Sequence, residues 1–245
     1  MVATIGRALP SPCPDDAERL RQFEGVCLRD MAALAGVADS WLGRRALEAQ
    51  FGERARRFAR DLADFDDEIA ACGVEFATRQ LMVRYGGQIV AKGVGHVPRD
   101  GPVLFIANHP GLMDSLAIYA TAPRPDVRAL ARPQPLLLLL AALAPNLLLL
   151  PDEGPERGGA LRSVVSSLRA GGALVLFPAG RLEPEPCLPE TGAEPLGPWS
   201  SGLGTLVRLA ARDGLPLRIV PTAVSGVLST ETWRRFRSLI RLRRT

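Results

Sequence analysis

The chain has 245 residues, of which 47% are hydrophobic, with 30 Lys and Arg against 26 Asp and Glu. This length is enough to bury one large domain, or one domain with an appendage. The net charge of +4 comes almost wholly from arginine, since Lys92 is the only lysine. This modest excess, without any aromatic-basic motif for base stacking, argues against a nucleic acid partner and suits smaller anionic partners.

The cysteines and histidines do not form a metal-binding or disulfide pattern. Four cysteines are scattered without a Cys-x-x-Cys pair, and the chain has two histidines. We therefore predict no metal site, and reduced, mostly buried thiols in a cytosolic protein. The first residues lack the charged and apolar regions of a signal peptide. The most apolar run, residues 136–150, is shorter than the roughly 20 residues of a membrane span.

The N-terminal third of the chain is predicted to be helical. Apolar residues recur at helical spacing, and the predicted helices cover residues 17–35, 40–71 and 74–85. We interpret them as a packed helical segment over residues 1–87, with a role at a membrane surface as the alternative.

From residue 88 onward, strand-like and helix-like stretches alternate. The predicted strands are 88–93, 103–107, 127–131, 147–150, 173–177 and 217–222, and the predicted helices are 113–120, 135–143, 157–169 and 202–212. This alternation predicts an α/β domain over residues 88–245, with a largely parallel sheet flanked by helices. A Pro/Glu-rich loop, residues 182–200, is long enough to be functional.

One histidine and one aspartate stand where the second predicted strand ends. His109 follows the apolar run 103–107, and Asp114 lies five positions later in the first turn of a predicted helix. The break at Pro110-Gly111 allows the turn to fold the imidazole back over the helix start. Asp114 can then fix the tautomer of His109, which predicts a general base and its orienting partner. The alternative is that His109 caps a turn and Asp114 caps a helix.

Two further strand ends carry candidate binding residues. Phe177-Pro178-Ala179-Gly180-Arg181 ends a buried strand in a turn, where Gly180 permits close approach of a ligand and Arg181 can bind a phosphate or carboxylate. The alternative is an ordinary turn with a solvated arginine. Pro221 cannot donate to a sheet ladder, so it marks a strand end or bulge, or lines a substrate.

These stretches carry a resemblance to a known family. Residues 108–114, Asn-His-Pro-Gly-Leu-Met-Asp, look like the NHxxxxD block of the glycerolipid acyltransferases typified by 1-acylglycerol-phosphate acyltransferase. Residues 177–181 resemble that family's Phe-Pro-Glu-Gly-Thr-Arg block, and Val220-Pro221 its last block. The resemblance covers about residues 88–228 in the family's order.

The resemblance implies transfer of an acyl chain from acyl-CoA or acyl-carrier protein to a hydroxyl of a lyso-lipid. His109 and Asp114 are then the catalytic base and its partner, while Gly180 and Arg181 bind the acceptor and Pro221 lies near the donor. No cofactor is implied beyond the thioester cosubstrate. The expected location is cytoplasmic, with peripheral association at the anionic inner face of the membrane.

The sequence departs from the family pattern at two places. Ala179 stands at the usual glutamate, with Arg181 one position early. The second block ends in Leu-Pro-Asp-Glu at residues 150–153, so that Arg157 is the available substitute for its arginine. The sequence thus supports acyl transfer as the reaction more strongly than it supports lysophosphatidate as the acceptor. The Phe-Pro-Ala-Gly form resembles branches that acylate other lyso-lipids, including amino-acid lipids. A thioesterase and an inactive lipid-binding module are the alternatives.

The C-terminal stretch, residues 231–244, combines apolar and arginine residues. Trp233, Phe236, Leu239 and Ile240 recur at helical spacing, and arginines fill the other faces. This pattern is typical of a helix lying on an anionic membrane. The alternative is a helix whose apolar face docks on the domain.

Overall fold

The computed structural model describes residues 14–35, 40–85, 87–111, 113–188 and 198–227. The C-terminal stretch with its proposed membrane helix lies outside these ranges. The chain divides into two compact units, Met1–Asp64 and Phe65–Thr245. The predicted boundary after residue 87 stays a prediction.

The helices lie close to their predicted positions. They are α1 (Pro14–Ala35), α2 (Trp41–Cys72), α3 (Val74–Tyr85), α4 (Met113–Thr121), α5 (Pro135–Leu139), α6 (Glu156–Arg169) and α7 (Ser201–Arg212). The strands are β1 (Val103–Ala107), β2 (Val127–Ala131), β3 (Leu147–Leu149), β4 (Ala173–Leu176) and β5 (Arg218–Thr222). Single 3-10 turns occur at Val94–His96 and Ala144–Asn146.

In the N-terminal unit, α1 and the first part of α2 pack against each other. Phe23 of α1 is fully buried. Arg19 donates from Nη2 to the carbonyl of Ala63 at 3.3 Å, and Arg56 pairs with Glu24 at the same distance. The apolar spacing in the sequence therefore corresponds to packed helix faces in this unit.

In the second unit, the described strands form one parallel sheet in the order β3-β2-β4-β1-β5. β1 lies between β4 and β5, and all five of its residues are buried. Residues facing one side of β1 and β4 form a core with α6 and α7 that includes Leu104, Ile106, Leu174, Leu168 and Leu206. The predicted α/β fold with a largely parallel sheet is confirmed.

The direction of the connections places the helices on both faces of the sheet. The chain moves from β1 to β2 in one direction along the sheet, and from β3 through β4 to β5 in the other. Because crossovers between parallel strands are right-handed, connections that run in opposite directions lie on opposite faces. α4 therefore covers one face, and α6 and α7 cover the other.

Two predicted elements are wrong. Residues 88–93 form no strand: Val90 is 74% exposed, and this segment pairs with neither described edge of the sheet. Its two β-branched residues, Ile89 and Val90, provide β propensity without a buried face, which is insufficient without pairing. The predicted helix over 135–143 ends at Leu139, after which residues 141–143 form a turn.

The cysteines only partly match the prediction. Cys27 is buried, and this burial, together with the Asp30 carboxylate, raises the pKa of its thiol to about 11. Cys72 and Cys187 are exposed, so the expectation of mostly buried thiols is wrong for them. Both lie where local chain geometry, not apolar periodicity, decides burial: at the end of α2 and in a loop. Over the described ranges, no helix is long and apolar enough to span a membrane.

One buried arginine joins the amino ends of three strands. Arg124 forms two 2.6 Å bonds to the carboxylate of Asp126, just before β2. It also donates to the carbonyl of Gly101, before β1, at 2.9 Å and to that of Gly171, before β4, at 2.8 Å. The hydrogen bond from Arg124, reinforced by its charge, lowers the pKa of Asp126. Arg124 thus fixes the positions of β1, β2 and β4 relative to one another along the strand direction.

We expect Arg124→Ala to lower the free energy of unfolding by about 3 kcal/mol, because two carbonyls lose charge-assisted donors. Urea denaturation of the full chain measures this loss. Arg128→Ala removes an exposed arginine from the same part of the chain, and its cost should stay within about 0.5 kcal/mol. Equal losses in the two variants would contradict the role assigned to Arg124.

Candidate active site

The predicted catalytic and acceptor residues follow two neighbouring strands. β1 and β4 are adjacent and parallel, with Leu104 opposite Leu174. The connection that leaves β1 covers one face of the sheet, and the connection that leaves β4 covers the other. Such a reversal opens a crevice at the carboxyl ends of the two strands, where open α/β sheets bind their ligands. His109 and Arg181 both follow these strand ends.

His109 and Asp114 form the predicted pair. Nδ1 of His109 lies 2.6 Å from Oδ2 of Asp114. The aspartate is fully buried, whereas the histidine side chain is 28% exposed. Since Asp114 accepts the hydrogen bond from Nδ1 of His109, Nε2 is the ring nitrogen that remains to accept a proton. This is the geometry that the predicted roles of general base and orienting carboxylate require.

The Asp114 carboxylate is fixed by two backbone groups. Its Oδ1 accepts from the N–H of Ser115 at 2.6 Å, and its Oδ2 also accepts from that of Gly111 at 3.3 Å. Asp114 is therefore prepared to hold the tautomer of His109.

α4, which carries Asp114, is itself tied to the sheet by Tyr119. The Tyr119 hydroxyl donates to the carbonyl of Asn146 at 2.6 Å and accepts from the N–H of Ala129 at 2.9 Å. Burial raises the pKa of Tyr119, so the hydroxyl stays protonated and keeps its donor. The position of Asp114 thus depends on a contact to β2.

The turn between the two residues requires glycine for a reason that the sequence does not show. A Cβ on Gly111 would lie 2.7 Å from Cγ1 of Val227, which belongs to the segment after β5. The same segment is held by Asn108, whose side-chain amide donates to the carbonyl of Val224 at 2.8 Å and accepts from its N–H at 2.7 Å. The turns after β1 and β5 are therefore joined directly behind the site.

The imidazole ring rests on an aromatic ring from the neighbouring strand end. His109 stacks on Phe177 with 4.4 Å between ring centroids and 22° between the planes. Phe177 directly follows β4, so this contact links the predicted catalytic turn to the predicted acceptor turn. The ring of His109 is thereby held on one face and at Nδ1.

Sequence reasoning missed two buried glutamates in the loop after β4. Glu183 and Glu185 are 5% and 2% exposed. Glu183 binds the backbone of His109, while Glu185 accepts from the N–H groups of Gly226 and Val227, both at 2.9 Å. A signal was available, because each glutamate precedes a proline. Residues before proline favour extended backbone, which directs residues two apart to the same side.

The predicted acceptor turn contains a positive-φ glycine and an exposed arginine. Gly180 has φ +62°, a conformation that favours glycine. Arg181 is exposed beside it. A second arginine, Arg132, was missed: its Nη2 lies 3.4 Å from the position that a Cβ of Gly180 would take. Arg132 follows the end of β2, the same kind of position from which Arg181 was predicted.

Arg157 is linked to this turn through other residues. It donates from Nη1 to the carbonyls of Pro151 at 2.6 Å and Asp152 at 2.9 Å. The Asp152 carboxylate in turn pairs with Arg132 Nε at 3.0 Å. The structure therefore connects Arg157 with Gly180 through Asp152 and Arg132, and gives Arg157 contacts to its own loop.

Pro221 lies within β5, in register with Ile106 of β1. Among the described strands β5 lies at the edge of the sheet, where the missing N–H of proline is tolerated. Its side chain is exposed, one residue from the strand end. In the described part of the chain, no group of three or more His, Cys, Asp and Glu residues could hold a metal ion.

Comparison with known proteins identifies the family of the chain. None of the curated proteins compared with the chain matches it. A similar solved structure is that of the 1-acyl-sn-glycerophosphate (LPA) acyltransferase, PlsC, from Thermotoga maritima, with 17% sequence identity and a TM-score of 0.38 over 92% of this chain and 98% of that chain. The family model described as Acyltransferase matches residues 88–225. That range spans more than half of the chain and all of the strand ends that carry the site, so the protein belongs to the acyltransferase family.

Proposed function

We propose that the protein transfers a fatty acyl chain from an acyl thioester, acyl-CoA or acyl-carrier protein, to a hydroxyl of a lyso-lipid. The observation that carries this proposal is the 2.6 Å contact between His109 Nδ1 and Asp114 Oδ2 at the crevice between β1 and β4. The membership in the acyltransferase family supports the reaction class. The intact dyad argues against an inactive lipid-binding module.

In the proposed reaction, Nε2 of His109 takes the proton of the acceptor hydroxyl as its oxygen attacks the thioester carbonyl carbon. A tetrahedral oxyanion forms, and Asp114 stabilises the imidazolium that accompanies it. The carbon–sulfur bond then breaks, and the imidazolium returns its proton to the leaving thiolate. The products are an ester and a free thiol. No cofactor beyond the thioester cosubstrate enters this sequence of steps.

The test of the proposed function is an assay of the full chain with labelled acyl-CoA or acyl-carrier protein and a lipid extract. We expect label in one lipid class, and about 10²–10⁴-fold slower labelling when His109 is replaced by alanine. Labelled free fatty acid that forms equally with and without lyso-lipid would identify a thioesterase instead. Absence of both products would support the inactive binding module.

The acceptor subsite in this proposal consists of Gly180 with Arg181 and Arg132. Arg181 belongs to the turn after β4, Arg132 reaches this turn from the end of β2, and a guanidinium binds phosphate or carboxylate through two parallel hydrogen bonds. Arg157 contributes by holding the loop that carries Asp152, the partner of Arg132. Pro221 is proposed to lie near the donor, on the other side of β1.

We expect Arg181→Ala and Arg132→Ala each to raise the KM for the acceptor by about 10- to 100-fold, because a charge-assisted hydrogen bond is lost. The KM for the thioester should change far less. Initial rates with each substrate varied in turn measure both constants. Arg128→Ala is the matched control, since it removes an exposed positive charge from β2, four residues before Arg132. Equal effects on both substrates would contradict acceptor binding.

The proposed location is cytoplasmic, with peripheral binding to the anionic inner face of the membrane where the acceptor lies. Exposed apolar side chains flank the acceptor turn: Leu182 is 62% and Trp199 48% exposed. The N–H of Ser200 donates to the carbonyl of Pro178 at 2.8 Å, which brings the residue before it next to the turn. A membrane at this end of the sheet would cover both side chains.

We expect the full chain to co-sediment with anionic vesicles at low salt and less at high salt, because each arginine near such a surface contributes about 1 kcal/mol. Removing residues 231–245 should reduce binding if the C-terminal arginines provide the attachment. Undiminished binding of the shortened chain would move the attachment elsewhere, first to the N-terminal helices.

A further inference from the structure

A buried carboxylate lies directly behind the proposed base. Oε2 of Glu183 accepts from the backbone N–H of His109 at 3.0 Å. The N–H of Glu183 donates to the carbonyl of His109 at 2.8 Å. Both backbone groups of His109 are therefore bound to one residue, and that residue belongs to the loop that follows the adjacent strand.

The other carboxylate oxygen of Glu183 has an unfavourable environment. Oε1 is buried and, within the described ranges, has no hydrogen-bond partner. Burying a carboxylate oxygen without a partner costs free energy, so such groups are rare in folded proteins and call for an explanation. An apolar side chain of the same length would avoid this cost, and what it could not supply is the acceptor for the His109 N–H. A role in stability alone therefore does not account for Glu183.

The position of His109 explains why a second anchor is useful. Asp114 fixes one nitrogen of the ring, but it reaches His109 across the Pro110-Gly111 turn. The ring also rotates about bonds that begin at the His109 backbone, so a displaced backbone would displace Nε2. A displacement of about 1 Å between reacting groups can lower a rate about 100-fold.

We propose that Glu183 is a positioning residue for the acyl transfer assigned to His109, and this role rests on the proposed function. Its carboxylate and its N–H fix the His109 backbone from the β4 side, while Asp114 fixes the ring from the α4 side. Nε2 is thereby held where the acceptor hydroxyl must approach.

The test compares Glu183→Gln with Glu183→Met in the full chain. The two side chains are similar in length, but only glutamine keeps an oxygen that accepts from the His109 N–H. We expect kcat to fall about 10- to 100-fold in Glu183→Met and to stay within about fivefold of wild type in Glu183→Gln. The KM values for both substrates should stay within about twofold, because the contact lies behind the base and not at a substrate.

Thermal unfolding and a neighbouring variant separate positioning from folding. Glu183→Met removes a buried oxygen without a partner, and this gain offsets the loss of the acceptor for the His109 N–H, so its melting temperature should stay close to that of wild type. Glu185→Met removes an equally buried carboxylate, which accepts from the N–H groups of Gly226 and Val227. It should lower the melting temperature more and kcat less than Glu183→Met does. The reverse order would overturn the proposal.

Amide hydrogen exchange of His109 provides a measurement that does not depend on activity. We expect its N–H to exchange at least about tenfold faster in Glu183→Met than in wild type or Glu183→Gln, since it loses its acceptor. Unchanged exchange, or a Glu183→Met variant as active as wild type, would contradict the positioning role of Glu183 but not the proposed function. A wild-type chain without acyl transfer would instead contradict the proposed function.

Discussion

Replacing His109 by alanine should lower the rate of acyl transfer by about 10²–10⁴-fold, the contribution typical of a general base. Without the imidazole, no group bound to Asp114 remains to take the proton of the acceptor hydroxyl. The loss should appear in kcat, because the ring binds neither substrate in the proposed mechanism. Initial rates with labelled thioester and lyso-lipid measure it.

The fold should tolerate this change. The His109 side chain is 28% exposed, and its main packing contact is the stack on Phe177. Losing such a contact costs about 1 kcal/mol. His96→Ala, at the other, exposed histidine of the chain, is the matched control and should keep wild-type activity. A folded His109→Ala variant with more than a tenth of wild-type kcat would contradict the mechanism.

Replacing Asp114 by asparagine should lower kcat by a similar factor, about 10²–10⁴-fold, although the side chain keeps its shape. The structure gives the reason, because both oxygens of the carboxylate accept: Oδ2 at His109 and Gly111, and Oδ1 at Ser115. An amide has one accepting oxygen. If its nitrogen faces His109, Nδ1 must accept, the proton moves to Nε2, and the base is lost.

The double variant makes this prediction sharper. Since Asp114 acts through His109, His109→Ala combined with Asp114→Asn should be no slower than His109→Ala alone. Unfolding curves show whether the buried amide leaves the fold intact. Additive losses would indicate that Asp114 has a separate role in the reaction.

The sequence predicted the contact between His109 and Asp114 because the relevant signals are local. β1 and β2 lie at their predicted residues, since short apolar runs between turn residues specify buried strands. The His109–Asp114 contact spans five residues, and the break at Pro110-Gly111 made it predictable. Arg132 follows the same rule of strand ends and was missed only because nothing nearby in the sequence indicates its approach to Gly180.

The sequence by itself predicted the reaction class, the contact between His109 and Asp114, and the positions of β1 to β5 along the chain. Tertiary structure decided the rest, because strand order across the sheet and the folding back of loops depend on contacts between distant residues. Only the sheet order brings the ends of β1 and β4 together, and only the loop after β4 brings Glu183 to His109, 74 residues away in sequence. Residues 88–93 do not form a strand for the same reason, because a strand needs a neighbouring strand to pair with and local propensity cannot supply one.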